Sequence, residues 1–392
     1  MIQQLAGWRS LSDLQNYLLP KLATMLKKLF KLLKTILFII FILIILGLVL
    51  RAIFFKGPAL TPTPLPTTSI IDMHVHIAGL GYGNSGSFVS DTMKKSYKFD
   101  YYLNAFGVTR KEIEAEGDQL VIKRLAETIE ASSYVEGAVV LAMDGVIDNK
   151  GKLDKEKTQV YIPNYYVAKQ TAQYPSLYYG ASINPYRRDA LERLEKAKEQ
   201  GAILIKWIPN IQHIDPSDLT LTPFYNKMKE LDLPLLSHTG QEKSFDSAID
   251  DYGDPKRLKL PLAMGVTVIA AHIATTGEIE HESNYLRVLP MLAGYSNFYS
   301  EISSLTQINK LGYLNKALHI PEIQDKLLYG SDYPLTNMIL VSPYYFPLNL
   351  TIKQMYTLSR IKNPFDRDVA LKQALGVPTE IFARSAYLLN IQ

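Results

Sequence analysis

From residue 69 onward, short apolar runs alternate with longer stretches whose apolar residues recur at helical spacing. The runs are "SIIDMHVHI" (69–77), "GAVVLAM" (137–143), "LYYGASI" (177–183), "AILIKWI" (202–208), "LPLLSH" (233–238), "VTVIAAH" (266–272), "NFYSEIS" (297–303) and "KLLYGSD" (326–332). Such short runs, bounded by turn residues, predict buried strands. Between them, Asp189 heads "DALERLEKAKEQG", where Glu192 and Gly201 predict a capping box and a helix stop. In "TPFYNKMKELDL", Thr222 is the predicted cap and Pro223 the first helical residue. Alternating strands and helices predict a parallel sheet, open or closed. Eight units suit an α/β fold of the (β/α)8 TIM-barrel type, with insertions, better than an open doubly wound sheet.

The pattern before residue 69 is different. Residues 36–50, "ILFIIFILIILGLVL", are continuously apolar, and "RAIFF" carries the stretch to Phe55 with Arg51 as the one interruption. About 20 such residues span a hydrocarbon core, and Arg51 lies near enough to the end to snorkel. We expect an uncleaved transmembrane anchor at 35–55. A cleaved signal peptide is the alternative, but 35 residues precede the run and no A-x-A site follows it. A buried soluble helix would show a polar face, and this one has none. Six basic residues precede the span, so the positive-inside rule keeps the N-terminus cytoplasmic. The large C-terminal part is then extracytoplasmic, periplasmic in a Gram-negative cell. Residues 1–34 form the expected cytoplasmic basic segment, whose leucines and lysines suit an anionic membrane surface or a topology-setting flank. Residues 56–68, rich in proline, read as a semi-rigid linker to a domain at 69–392.

Charge supports this division. Of 42 Lys+Arg and 38 Asp+Glu, residues 1–56 hold eight basic residues and one acid, Asp13. That leaves 34 basic and 37 acidic residues beyond position 56, a formal −3 with no nucleic-acid footprint. The chain has no cysteine, which excludes disulfides, iron–sulfur clusters, cysteine nucleophiles and thiolate metal sites.

Polar residues then fall into step with the strands. His74 and His76, two apart, share one face of the first strand. Lys206, His238 and His272 lie at or near predicted strand ends, Asp332 ends the eighth strand, and Glu301 lies on the seventh. Their spacings match one, one and two strand–helix units of about 30 residues. In a closed barrel these ends meet at one mouth. A lone strand-end histidine is ordinary, but four of the chain's seven histidines together with an aspartate point to a metal site. His213, His281 and His319 fall in loops or helices and read as structural.

"DMHVH", "IKWIPN", "SHTG", "AAHIA" and "YGSDYP" resemble the amidohydrolase superfamily, most closely the amidohydrolase-related branch that includes aminocarboxymuconate semialdehyde decarboxylase. The resemblance spans residues 69 to about 335. It implies that His74, His76, His238 and Asp332 hold one divalent metal, zinc first, with manganese or iron open to the same donors. It implies that His272, with Asp332, is the acid/base. In binuclear relatives a fourth-strand lysine is carbamylated and bridges two metals, a role open to Lys206. A structural ion pair between Lys206 and Glu301 is a third possibility. The implied reaction is hydrolysis of an amide, ester or lactone of a small molecule by metal-activated water. Non-oxidative decarboxylation of an unsaturated or aromatic acid uses the same ligands, and a catalytically silent binding module is the remaining alternative.

Weaker signals lie on the loops. "GYGNSG" (81–86) matches a dinucleotide fingerprint, but "SFVSDTMKKSYKFD" after it lacks a clear helical period. Residues 78 to about 108 therefore read as a flexible loop over the mouth, where Tyr82, Lys94 and Tyr97 could form a rim or touch substrate. Glu242 and Lys243 lie on another mouth loop as candidate substrate contacts.

Overall fold

The computed structural model describes residues 11–54, 69–245 and 247–391. The chain divides between residues 58 and 59 into two units. The N-terminal unit holds one helix, α1 (Leu11–Phe54), whose leucine, isoleucine and phenylalanine side chains are exposed along much of its length. Within it, Gln15–Val49 is long and apolar enough to cross a membrane. At 1.5 Å per residue, 44 residues measure about 66 Å, roughly twice a hydrocarbon core. The predicted linker at 56–68 and the first ten residues lie outside the described residues.

The C-terminal unit is built on eight parallel strands. They are β1 (Ile70–Val75), β2 (Val135–Leu141), β3 (Leu177–Ala181), β4 (Ala202–Trp207), β5 (Leu235–Ser237), β6 (Val268–Ala270), β7 (Phe298–Glu301) and β8 (Leu327–Leu328). Their spatial order follows the sequence. The ends meet where Asp332 N donates to His74 O at 3.0 Å and His76 N to Tyr333 O at 2.9 Å, closing the barrel. All eight predicted runs contain a strand. The strands stop short of the predicted ends, so His238, His272 and Asp332 stand just beyond them.

Alternation divides the apolar residues between two cores. Ile71, Met73, Val139, Leu204, Leu236 and Ile269 fill the barrel interior, while Ile70, Val75, Val140 and Trp207 pack outward against the helices. Strict alternation would put His74 and His76 on the face opposite Met73. Between Asp72 and Val75 the register of β1 slips by one residue against β2, with Asp72 opposite Ala138 and Val75 opposite Val140. This bulge re-aims both histidines into the mouth.

Three local expectations need correction. Residues 78–108 are not an open loop: helices Asp91–Lys95 and Tyr97–Ala105 form there. The Ser90 and Ser96 hydroxyls cap them, and Phe88–Val89 pairs with Val160–Tyr161. "GYGNSG" is tied down by the Asp118 carboxylate, which accepts from Leu80 N and Gly81 N at 2.9 Å and from the Ser85 hydroxyl. The Asp189 capping box does not form, because that carboxylate pairs with Arg193 at 2.9 Å. Thr222 is inside its helix and not the cap; its hydroxyl turns back to Leu219 O at 2.7 Å.

Candidate metal centre

Four histidines and two carboxylates meet at the mouth. His74 Nε2 and His76 Nε2 are 3.1 Å apart, and Asp332 Oδ1 lies 3.6 and 3.5 Å from them. A proton on His76 Nε2 would satisfy one of these contacts, and a metal ion between the three atoms would satisfy all of them. The His272 ring stacks on His74 at 5.2 Å, and His238 stands edge-on to His272 at 5.3 Å. His272 Nε2 is 3.9 Å from Asp332 Oδ2.

The far sides of the rings are held by β7 and the turn after it. Glu301, with no exposed surface, brings Oε1 to 3.0 Å from His74 Nδ1. A carboxylate only accepts, so His74 carries its proton on Nδ1 and presents a lone pair at Nε2. The same oxygen accepts from His272 N at 3.1 Å and Ser303 Oγ at 2.8 Å. His272 Nδ1 lies 2.7 Å from Ser303 Oγ and 3.3 Å from Ser303 O. The proton on His272 is therefore also on Nδ1, leaving Nε2 free toward Asp332. Ser304 donates its hydroxyl to Asp332 Oδ2, and Gln307 Nε2 donates to Ser304 Oγ at 2.9 Å.

The backbone is bent to reach this arrangement. His272, Ile273 and Ala274 follow β6 at φ 59°, 49° and 49°, and Asp332 follows β8 at φ 64°. Left-handed non-glycine residues store strain of order 1–3 kcal/mol each, which packing and hydrogen bonds must hold in place. Asp72 does part of this: it accepts from His74 N at 3.1 Å and Ser331 N at 2.9 Å, stapling β1 to the end of β8. Its full burial pushes its carboxyl up to about 7.

The opposite side is open-handed. Lys206 Nζ and His238 Nε2 are buried without a hydrogen-bond partner among the described residues. The Lys206–Glu301 ion pair, the third possibility for this lysine, is not made: the Glu301 oxygens bond to His74, His272 and Ser303. Burial holds the Lys206 ammonium down at about 8, opposed by Glu301, Asp332 and Glu242. Burial, reinforced by Lys206, lowers His238 to about 3 and His74 well below its ordinary value. Burial also lowers His76 to about 4 and His272 well below 6.5. All four rings are thus neutral near pH 7, the state a metal ligand requires. Burial pushes the Asp332 carboxyl upward, but His74 and His76 in their protonated forms, Lys310 and the Ser304 hydroxyl outweigh it, so the net direction is downward.

Of the weaker candidates, Glu242 reaches the site, its Oε2 3.7 Å from His238 Nε2. Lys243 is exposed and does not line the cavity. Asp72, Ser303, Ser304, Gln307 and the buried Lys310 were not singled out by sequence reasoning. The run of uncharged polar residues in "EISSLTQ" directly past a strand was the signal available.

A family model described as amidohydrolase matches residues 71–345. No curated protein matches the chain. Among solved structures, an uncharacterised TIM-barrel protein of Bordetella bronchiseptica is 16% identical, with a TM-score of 0.48 over 78% of this chain and 99% of that one. A candidate 2-pyrone-4,6-dicarboxylic acid hydrolase of Pseudomonas putida is 13% identical, with a TM-score of 0.47 over 83% and 99%. The 5-carboxyvanillate decarboxylase LigW of Sphingomonas paucimobilis is 10% identical, with a TM-score of 0.47 over 83% and 100%. The structural likenesses concern the barrel alone; the family match covers most of the chain, which belongs to the amidohydrolase family.

Proposed function

We propose that the protein is a metal-dependent hydrolase of a small amide, ester or lactone. The observation that carries this reading is the approach of His74 Nε2, His76 Nε2 and Asp332 Oδ1 to within 3.6 Å of one another. These three, with the unpartnered His238 Nε2, would hold one divalent ion. Three imidazoles and a carboxylate suit zinc, and after it manganese or iron. An ion held there supplies Lewis acidity, polarising a carbonyl and making water ionise near neutrality.

The chain's own groups do the rest. Glu301 fixes the His74 tautomer, so that its Nε2 lone pair faces the site. His272 Nε2, unprotonated beside Asp332, accepts a proton from water and returns it to the leaving group. Glu301, reached through Ser303 Oγ, stabilises the imidazolium so formed. Lys206 is the cation available to an anionic or carbonyl oxygen, and carbamylation with a second metal is its alternative role.

Decarboxylation is a second reading, favoured by the apolar side chains that line the cavity with the histidines, among them Val89, Met93, Phe99 and Phe106. Apolar surroundings disfavour a carboxylate and not the carbon dioxide leaving it. Metal analysis of the purified protein, with amide, ester, lactone and aromatic-acid panels scored for water addition and CO₂ release, tests both. One equivalent of metal, lost when His74 and His76 become Ala, supports the site; no bound metal overturns it. We infer also that α1 anchors the protein, lysine-rich end cytoplasmic. Protease added to cells stripped of any outer membrane then removes the C-terminal unit, and full protection overturns that orientation.

A further inference from the structure

The cavity above the histidines has a volume of about 150 Å³. Its floor is polar: the four histidines, Asp332 and Lys206. Its wall is not. Val89, Met93, Phe99, Leu103 and Phe106, all from the segment between β1 and β2, form one side. Met143, Val160, Ile208, Phe245 and Leu335 complete the wall, with Val160 paired directly to Val89. The polar groups above the floor are Glu242, Ser244 and Tyr102. The Tyr102 hydroxyl lies near Ser244, between the Tyr97–Ala105 helix and the loop after β5.

Among the described residues lining the cavity, Lys206 is the single Lys or Arg, and it lies on the floor. Lys310 is also buried near Asp332 and Glu242, but it does not line the cavity. A second anionic group on a ligand would therefore rest against aliphatic and aromatic carbon, with Glu242 as its charged neighbour. Burying a carboxylate without a partner costs several kcal/mol. The space within the wall, which opens to solvent, is of the size that one benzene ring fills in an apolar cavity.

Building on the proposed function, in which the floor takes the reacting group, we propose that the substrate carries one polar reacting group on an uncharged apolar body about the size of a single ring. Dicarboxylates and larger polar acids are excluded by the wall. The segment between β1 and β2 sets this selectivity, because it supplies five of the apolar wall residues and no cation.

The test uses the full chain in phospholipid nanodiscs, metal-free and zinc-loaded, with empty nanodiscs as the blank. Phenylacetamide and its para-carboxylated analogue are titrated by calorimetry. Phenylacetamide is expected to bind in both metal states, at least about 10-fold tighter than the carboxylated probe. Met93→Lys, at a half-buried wall position, should narrow that ratio by roughly 10-fold, while Met93→Gln should leave it near the wild-type value. Equal or tighter binding of the carboxylated probe, or no binding of phenylacetamide, overturns the proposal. Binding is read apart from turnover. A probe bound selectively but never hydrolysed upholds this inference and counts against the hydrolase.

Discussion

On the β7–β8 side of the histidine cluster, Glu301 joins His74 to His272 through Ser303, and Ser304 holds Asp332. On the β4–β5 side, Lys206 Nζ and His238 Nε2 are just as deeply buried and have no hydrogen-bond partner among the described residues. The difference separates two jobs. The bonded side fixes tautomers and directions before any ligand arrives. The unbonded side carries a desolvation penalty that, under the proposed function, a ligand would relieve.

The comparison breaks first at Asp332, which faces both sides. Asp332→Asn keeps the shape and the hydrogen bond from Ser304 but removes the charge between His74 and His76. Turnover should fall at least about 10³-fold, and bound metal should drop to substoichiometric levels. Retention of one tightly bound equivalent would mean that the carboxylate is not a ligand.

Lys206 tests the unbonded side. An unfolded lysine keeps its proton up to 10.5, and the buried one sheds it at about 8. Between those values the unfolded state binds more protons, so stability rises with pH; below 8 the full penalty applies. The gap corresponds to about 3 kcal/mol as an upper value. Lys206→Met should therefore stabilise the metal-free protein by up to about 3 kcal/mol at pH 7, with the gain vanishing near pH 10.5. Denaturant melts at the two pH values measure it. Under the one-metal reading, zinc stoichiometry stays at one equivalent; a fall from two to one would identify Lys206 as a bridging ligand.

Glu301 tests the bonded side. Glu301→Gln leaves an acceptor for His74 but turns an amide donor toward groups that donate to Glu301, Ser303 N among them. Metal affinity should weaken about 10- to 100-fold, the usual size for a partner of a metal-binding histidine. Unchanged affinity in a competition titration would show that His74 needs no orienting group.

What was legible in the sequence follows the same division. The strand ends could be read because alternation and a 30-residue beat are properties of the chain alone. Hence His74, His76, His238, His272 and Asp332 could be grouped before any coordinates. The bulge at Asp72–Val75 could not be read, since one extra residue in a pairing register leaves no compositional trace. Ser303, Ser304 and Gln307 were missed because small polar residues past a strand look like any loop. The helices at 91–105 were missed because they are five and nine residues long, too short for a clear period. Lys206 was assigned a possible partner in Glu301 from barrel geometry, and nearer donors had already taken those oxygens.

The finest test lies at Ser303, the link between the two histidines of the bonded side. Ser303→Ala removes the Oγ contacts to His272 and Glu301, yet both neighbours keep others. His272 Nδ1 retains Ser303 O at 3.3 Å, and Glu301 Oε1 retains His74 Nδ1 and His272 N. The loss should thus be about 1 kcal/mol of stability in the metal-free protein, the net worth of an ordinary hydrogen bond. Metal affinity should fall less than with Glu301→Gln. The pH–rate profile carries the added information: without the relay to Glu301, the His272 imidazolium is less stabilised, so the acid limb should move to lower pH. An affinity loss as large as that of Glu301→Gln would place the orientation of the site in the serine relay and not in the direct Glu301–His74 bond.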